Sequence, residues 1–414
     1  MTATNTLSAA ILKRRYADGG KVPRANFEDF PAYATCQKKE DWVGDDYALP
    51  LITENPQGVG TSVSAAQGSA AQSTFNRFLM TRVEYFGIAR IKGQALRTAT
   101  RKGDGAMVDL WTNEMDGITQ SVLKMLEIFY FGTGNGVLGT ISTGVTGAAV
   151  TLTVAEDVNN FDLGMKVKLV SDTTLSPTVR ANEATITSID RSAGTLTINA
   201  GNWNAVITGA TNGDSIVRAG DQSVAGTAAV PFGLRQLLIG GASPPAVYGL
   251  TRTSDPVRLA SQVFDATGSS MENAVIDLES LITIQGKMSK KSLWTNPRDV
   301  RQMKKSLGGK VQYPRTKVGS SVAGVSFDAI QFEGDYSTIN LMTSPFCPKN
   351  NAFLKDMSTF AMYSSGAAPM TLDFDGPEFL RVASDDAYEV RVGLYGNYGE
   401  RAPVMSARMT GWGA

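Results

Sequence analysis

Residues Asn55–Phe78 read NPQGVGTSVSAAQGSAAQSTFNRF, and from Asn55 to Ser73 small and polar side chains dominate. Connections inside compact domains rarely exceed about 12–15 residues unless they are functional or disordered. The segment is therefore slack, or it reaches something outside its own subunit. Its flanks favour the second reading. YALPLIT, Tyr47–Thr53, reads as an edge strand because Pro50 has no N–H for a ladder. RFLMTRVEYFGIARIKG, Arg77–Gly93, partly alternates, with Thr81, Val83 and Tyr85 on one side and Arg82 and Glu84 on the other. Strand, loop, strand makes an extended hairpin. A two-stranded ribbon is marginal in water, so this one is expected to gain stability on a neighbour. Gly58, Gly60 and Gly68 at its tip would permit close backbone approach.

Beyond the hairpin, Arg82, Arg90, Lys92, Arg97, Arg101 and Lys102 face a single acid, Glu84. This limb is either a solvated face or a surface that docks on a neighbour's carboxylates. A nucleic-acid groove would interleave aromatic side chains and carry more net charge. From Asp104 to Phe131 the apolar residues Met107, Trp111, Met115, Ile118, Val122, Met125 and Phe129 recur at steps of three and four. That spacing predicts a helix roughly 40 Å long, with Asp109, Asn113, Asp116, Gln120, Lys124 and Glu127 as its polar face. FGTGNGVLG, Phe131–Gly139, follows a helix, whereas a phosphate-binding loop follows a strand and opens a helix. Its glycines are expected to end the helix in a left-handed cap.

Upstream, Asn5–Tyr16 has a short helical pattern, and the residues up to Asp46 mix prolines and aromatics without a period, as an arm lying along another surface would. Downstream, residues 137–221 turn rich in Thr, Val, Ile, Gly and Asn. AAVTLTV, MKVKLVS, NEATITSID, GTLTINA and DSIVRAG are five short strands there, suited to a small barrel or sandwich that looks inserted. From Ala225 the texture is α/β. SSMENAVIDLESLITIQG is helical, KSLWTN is a buried strand, and NPRDVRQMKKSLGG is a helix with Asn296 as cap, Pro297 in its first turn and Gly308 after it. Later strands are AGVSFDAIQFEGD, TINLMTS, NAFLKDMSTFAMYS and AYEVRVGLYGNYGERAP.

Composition narrows the function. The 414 residues carry 39 basic and 39 acidic side chains, so the formal net charge of zero gives no global drive toward nucleic acid or anionic membranes. Histidine is absent, which removes the commonest general base and metal ligand and argues against an enzyme. Cys36 and Cys347 have no metal or disulfide spacing and are expected to be reduced thiols. No apolar run approaches a membrane span, and the N-terminal charges follow the apolar residues, the reverse of a secretory signal, so a cytoplasmic product is expected. No nucleophile elbow, Walker loop, paired Cys-x-x-Cys or dinucleotide turn occurs in its required context. Asp385 and Asp386 are adjacent and read as a turn.

The order of these elements resembles the major capsid proteins of tailed bacteriophages with the Hong Kong 97-type fold. The likeness covers nearly the whole chain and rests on that order together with VGDDYALPLITENPQGVG, FYFGTGNGVLGTIS, LWTNPRDVRQMKKSLGG and DAYEVRVGLYGNYGERAP. It implies an α+β chain with an N-terminal arm at 1–46, an E-loop hairpin at 47–102 and a peripheral domain with its spine helix at 103–136. The inserted all-β domain at 137–221, an axial domain at 222–344 and a return to the peripheral domain at 345–414 would complete it. The implied function is self-assembly, as hexamers and pentamers, into an icosahedral shell around double-stranded DNA, first in the host cytoplasm and then in the virion. Implied partners are a separate scaffolding protein, because no long N-terminal stretch supplies one, then a portal and a cement protein. No catalytic residue, cofactor, metal or membrane is implied. The inter-subunit residues would be Gly58, Gly60, Gly68, Arg82, Arg90, Lys92 and Arg97. The rival readings are a nanocompartment shell of the same fold, or a virion-associated carbohydrate-binding or hydrolytic protein with the β module as its sugar reader, for which Trp203, the module's only tryptophan, is a poor stacking platform.

Overall fold

The computed structural model describes residues 28–93, 110–199, 201–285, 291–306, 315–318, 327–333, 338–373, 380–383 and 385–412. The expected helix at Asn5–Tyr16, the helix start at Asp104 with Met107, and Gly308 lie outside the described residues. In chain order the elements begin with α1 (Pro31–Thr35), β1 (Gln37–Lys39), β2 (Asp46–Glu54), α2 (Val63–Gly68), β3 (Thr74–Thr81), β4 (Val83–Lys92) and α3 (Leu110–Phe131). Contacts divide the chain into two compact units.

The smaller unit contains Tyr85–Met125 and Ala367–Leu394. Here β4, β18 (Met370–Thr371) and β19 (Leu380–Arg381) all pair with β20 (Ala387–Glu400). The apolar stripe read from the sequence lies on β4 at Gly87, where an added Cβ would stand 2.7 Å from Val122 Cγ2 and 2.8 Å from Ile118 Cγ1. A side chain at that position would push helix and strand apart. The expected polar face is only partly polar. Lys124 is 2% exposed and its Nζ pairs with Glu28 at 3.0 Å.

The larger unit holds Phe30–Glu84, Leu126–Gly366 and the chain from Tyr395 onward. From Leu126 to Phe131 every residue of α3 is buried, the charged Glu127 among them, so this end of the helix is enclosed on all sides. Tyr130 stands edge-on to Phe360 and Tyr398, and Phe131 lies beside Trp294 and Phe353. The arm residues find their surface within the chain itself. Ala32, Tyr33, Cys36 and Trp42 are buried, and β1 pairs in parallel with β17 (Phe360–Ser364).

After α3 the chain enters a closed barrel of six strands, one more than expected: β5 (Val137–Thr143), β6 (Ala149–Leu152), β7 (Lys166–Val170), β8 (Ala184–Asp190), β9 (Thr195–Ile198) and β10 (Ser215–Arg218). The extra strand, β5, closes it by pairing with both β6 and β10. Closure leaves no open edge. Val150, Leu152, Val167, Leu169, Ile186, Leu196 and Ile216 fill the interior, each contributing about 1.5–3 kcal/mol through burial. At the neck, Gly136 has φ +74° and an added Cβ would lie 2.1 Å from Asp221 O, so incoming and outgoing chains meet where only glycine fits.

A seven-stranded sheet follows in the order β11-β21-β16-β12-β15-β14-β13, built from β11 (Gln262–Asp265), β12 (Lys291–Thr295), β13 (Arg315–Val318), β14 (Phe327–Glu333), β15 (Thr338–Thr343), β16 (Asn351–Asp356) and β21 (Ala407–Thr410). Helix α4 (Met271–Gln285) links β11 to β12, and α5 (Pro297–Ser306) follows β12. Asn296 caps α5 as expected, its Oδ1 accepting the Arg298 N–H at 3.0 Å. Strands β16 and β21 come from the stretch expected to return to another domain. They are drawn here because β16 pairs with β12 on one side and β21 on the other.

Candidate inter-subunit surface

The hairpin is a two-stranded sheet of β2 and β3, in register at Leu49↔Phe78, Pro50↔Arg77 and Ile52↔Phe75. At its base one face is buried through Leu49, Phe78 and Met80. Gly399 makes room for it, since a Cβ there would stand 2.6 Å from Met80 Sδ. Three contacts fix the base: Leu79 N–H donates to Tyr248 O (2.9 Å), Asn397 Nδ2 donates to Thr81 O (3.1 Å), and the Arg82 guanidinium lies 5.8 Å from the Tyr395 ring centre. Toward the tip the pattern reverses. The cross-strand pair Ile52 and Phe75 is 55% and 69% exposed, and Val59 and Val63 are 82% and 75% exposed.

The loop is less bare than its composition suggests, because α2 folds within it. Ser62 Oγ accepts the Ala65 N–H at 3.2 Å as an N-cap. Gly58 and Gly60 serve this turn: a Cβ on Gly60 would lie 2.9 Å from Ala66 N, and one on Gly58 would lie 3.3 Å from Ala66 O. Gly68 has open space around it. Two of the three glycines therefore allow the tip to pack on itself.

The basic limb leaves the hairpin at Arg82 and becomes β4, whose partner is β20. Arg90, expected to reach a neighbour, has a carboxylate in its own chain: its Nε lies 3.1 Å from Glu389 Oε2. Glu389 also accepts from Arg391, which first and most strongly holds its carboxyl below the usual range, with Arg90 adding to the effect. Lys92 is exposed, and Arg97 lies outside the described residues. Of the seven expected inter-subunit positions, Gly58, Gly60 and Gly68 lie at the tip, Arg82 at the base, and Arg90 and Lys92 on β4.

The strongest electrostatic perturbations lie inside the molecule, where side-chain periodicity gave no sign of them. Glu127 is fully buried and accepts from Ala32 N–H (3.1 Å), Tyr33 N–H (2.6 Å) and Ser344 Oγ (2.7 Å). Burial pushes its carboxyl up to about 7, against the opposing pull of these donors. Lys355 contacts the Tyr130 hydroxyl, and its Nζ lies 4.1 Å from the centre of the Phe360 ring. Burial lowers Lys355 and raises the neighbouring Glu400. A cavity of about 250 Å³ beside the barrel is lined by Glu156, Asp157, Arg235, Asn296 and Lys349 among others, and burial raises Asp157 to about 7. Glu156 is already engaged there by Arg298 at 2.7 Å and Lys349 at 3.6 Å. Among the described residues, no three His, Cys, Asp or Glu side chains could hold a metal ion, and no helix is long and apolar enough to cross a membrane. Cys36 and Cys347 are buried free thiols, and burial raises both. Trp203 is fully buried, its indole N–H donating to Ala148 O at 3.0 Å, so it presents no face to a sugar.

No protein-family model and no curated protein sequence matches the chain. Solved structures do. The chain is similar to the capsid chain in the asymmetric unit of cyanophage A-1(L), at 9% identity, 98% coverage of this chain, 99% of that one and a TM-score of 0.52. It is also similar to a capsid chain of the native GTA particle, at 8% identity, 99% coverage of both chains and a TM-score of 0.50. Likeness that spans both chains at so low an identity lies in the backbone arrangement, and that arrangement is the tailed-phage major capsid protein fold.

Proposed function

We propose that this protein is a major capsid protein, whose copies associate as hexamers and pentamers and close into an icosahedral head shell around double-stranded phage DNA. The observation that carries the reading is the hairpin: its base is anchored, while Ile52 and Phe75 lie paired and exposed on its distal half. A ribbon of that kind gains stability when a neighbouring copy covers it. In this reading Asp46–Thr81 is the E-loop, α3 the spine helix, the barrel an inserted domain, and the seven-stranded sheet the centre of the axial domain. The role is structural rather than catalytic, and scaffolding, portal and cement proteins would be its partners. Gly58, Gly60, Gly68, Arg82 and Lys92 belong to the contact between copies, with Arg97 continuing it. Arg90 serves that contact only as half of its pair with Glu389.

Negative-stain microscopy of the purified protein tests the reading directly. Uniform polyhedral particles are expected at assembly concentrations. A protein that stays monomeric, or that forms only open fibres, refutes it, and particles filled with one protein cargo would mark a storage compartment instead.

A further inference from the structure

Two helices on one face of the seven-stranded sheet carry opposite chemistry. Met271, Ala274, Val275, Leu278 and Ile282 of α4 share a single buried cluster with Val300 and Met303 of α5, so both helices cover the same face. The topology places them toward opposite sides of it. Helix α4 packs against β11 and β21, whereas α5 leaves β12 toward the strands β15, β14 and β13. β11 and β12 run parallel, as do β12 and β15, so each helix belongs to a crossover advancing in the same direction along the sheet. Right-handed crossovers advancing one way fall on one face.

Their solvent sides are not alike. Helix α4, MENAVIDLESLITIQ, has no basic residue. It carries Glu272 and Asp277, and it exposes Ile276 (52%) and Ile284 (76%) about 12 Å apart on one side. Its third acid, Glu279, is buried against Lys291. Helix α5, PRDVRQMKKS, has one acid, Asp299, which is buried, and it exposes Arg298, Arg301, Lys304 and Lys305. Arg298 is engaged by Glu156, which leaves Arg301, Lys304 and Lys305 as the outward charges at the far end of α5.

We propose that α4 of one copy docks against α5 of the next, a head-to-tail contact that repeats around a ring. Glu272 and Asp277 meet Arg301, Lys304 and Lys305, while Ile276 and Ile284 pack on the aliphatic stems of those long basic side chains. A surface that pairs one patch with a different patch on the next copy generates a closed ring when its rotation closes. The occupant is a second copy of this chain because the complementary face is present on the same molecule. Helix α5 has no exposed aromatic residue to stack a base.

This inference rests on the shell reading and specifies one contact within it. The test uses two full-length variants, Lys304→Glu with Lys305→Glu, and Glu272→Lys with Asp277→Lys, examined alone and mixed in equal amounts by sedimentation and microscopy. Each variant alone places like charges across the contact, so association should fall at least tenfold relative to wild type, while the free subunit stays folded and melts a few degrees lower, because Glu272 lies in the first turn of α4 and Lys304 and Lys305 in the last turn of α5. In a six-membered ring of alternating variants, half of the contacts are native and half are restored with reversed signs, so association into hexamers should recover, whereas a five-membered ring keeps at least one like-charged contact. Either variant associating alone as well as wild type overturns the contact, as does a mixture of folded variants that fails to recover. Shells insensitive to both reversals leave the shell reading standing and overturn this contact, whereas charge-sensitive rings that never close overturn the shell alone. If the lysine variant associates normally but loses binding to a DNA oligonucleotide, α5 is a nucleic-acid surface and the contact is wrong.

Discussion

Glu127 shows how one side chain can tie distant parts of a chain together. It sits one turn from the end of α3, yet its carboxylate accepts the backbone N–H groups of Ala32 and Tyr33 and the hydroxyl of Ser344. The two N–H groups lie in the first turn of α1, where donors lack helical partners, so the carboxylate acts as a remote cap. Burial nevertheless raises its folded-state value to about 7, above the ordinary 4.5. Its stabilising contribution is therefore fully present below the unfolded value and is lost as pH rises through the folded one. Denaturant unfolding of wild type and Glu127→Gln at about pH 5 and about pH 8 should show the wild type losing stability relative to the variant as pH rises. The upper bound on this loss is about 3 kcal/mol, at about 1.4 kcal/mol per pH unit of displacement. Parallel profiles would show that Glu127 does not titrate in this range. Lys355 lies within electrostatic reach of Glu127, so the difference reports Glu127 together with the change its loss imposes on Lys355.

Among elements, the hairpin and the barrel make opposite predictions. The hairpin tip has its own helical turn, α2, but exposes Ile52, Val59, Val63 and Phe75, so its stability should depend on contact with a neighbour. Deleting Gly58–Ser73 should leave a folded subunit, because Leu49, Phe78, Met80 and the Tyr248 and Asn397 contacts at the base remain. That variant should form no closed shells, and normal particles from it would remove the hairpin from the assembly contacts. The barrel should behave independently. Both strands that close it, β5 and β10, lie within Val137–Asp221, and its core is enclosed by its own strands. Expressed alone, that segment should give a β-type circular dichroism spectrum and a cooperative melt. A disordered spectrum would mean that the rest of the larger unit holds the barrel together.

For the whole molecule, assembly should be visible in stability as well as in images. Anything that binds the folded state alone raises apparent stability by mass action, and a neighbouring copy does so in proportion to its concentration. Wild type should therefore melt several degrees higher when assembled than when dilute, whereas the hairpin deletion, which keeps only the contacts outside the hairpin, should show a smaller rise with concentration. A wild-type melting temperature independent of concentration would mean that the exposed surfaces of this chain contribute no association energy. Single exposed ion pairs are worth only about 0–1 kcal/mol, so any such gain must come from contacts repeated at each symmetry-related position.

The amino-acid sequence alone determined the elements whose pattern is local: the three-and-four spacing of α3, the alternating strands of the barrel, the Asn296 cap, the long small-residue loop, and the lack of any histidine or catalytic motif. Their order sufficed to point to the capsid fold, because a fold's sequence of elements survives when residue identity does not. Only the tertiary structure decided where those patterns were overridden. Lys124 and Glu127 occupy the polar side of an amphipathic helix, yet both are buried because other segments close over them. Trp203 fills the barrel core, Arg90 finds Glu389 nearly three hundred residues away, and β16 and β21 join a sheet begun far upstream. The physical reason is common to all: periodicity reports which way a side chain points from its own element, whereas burial and pairing depend on what the rest of the chain places against it.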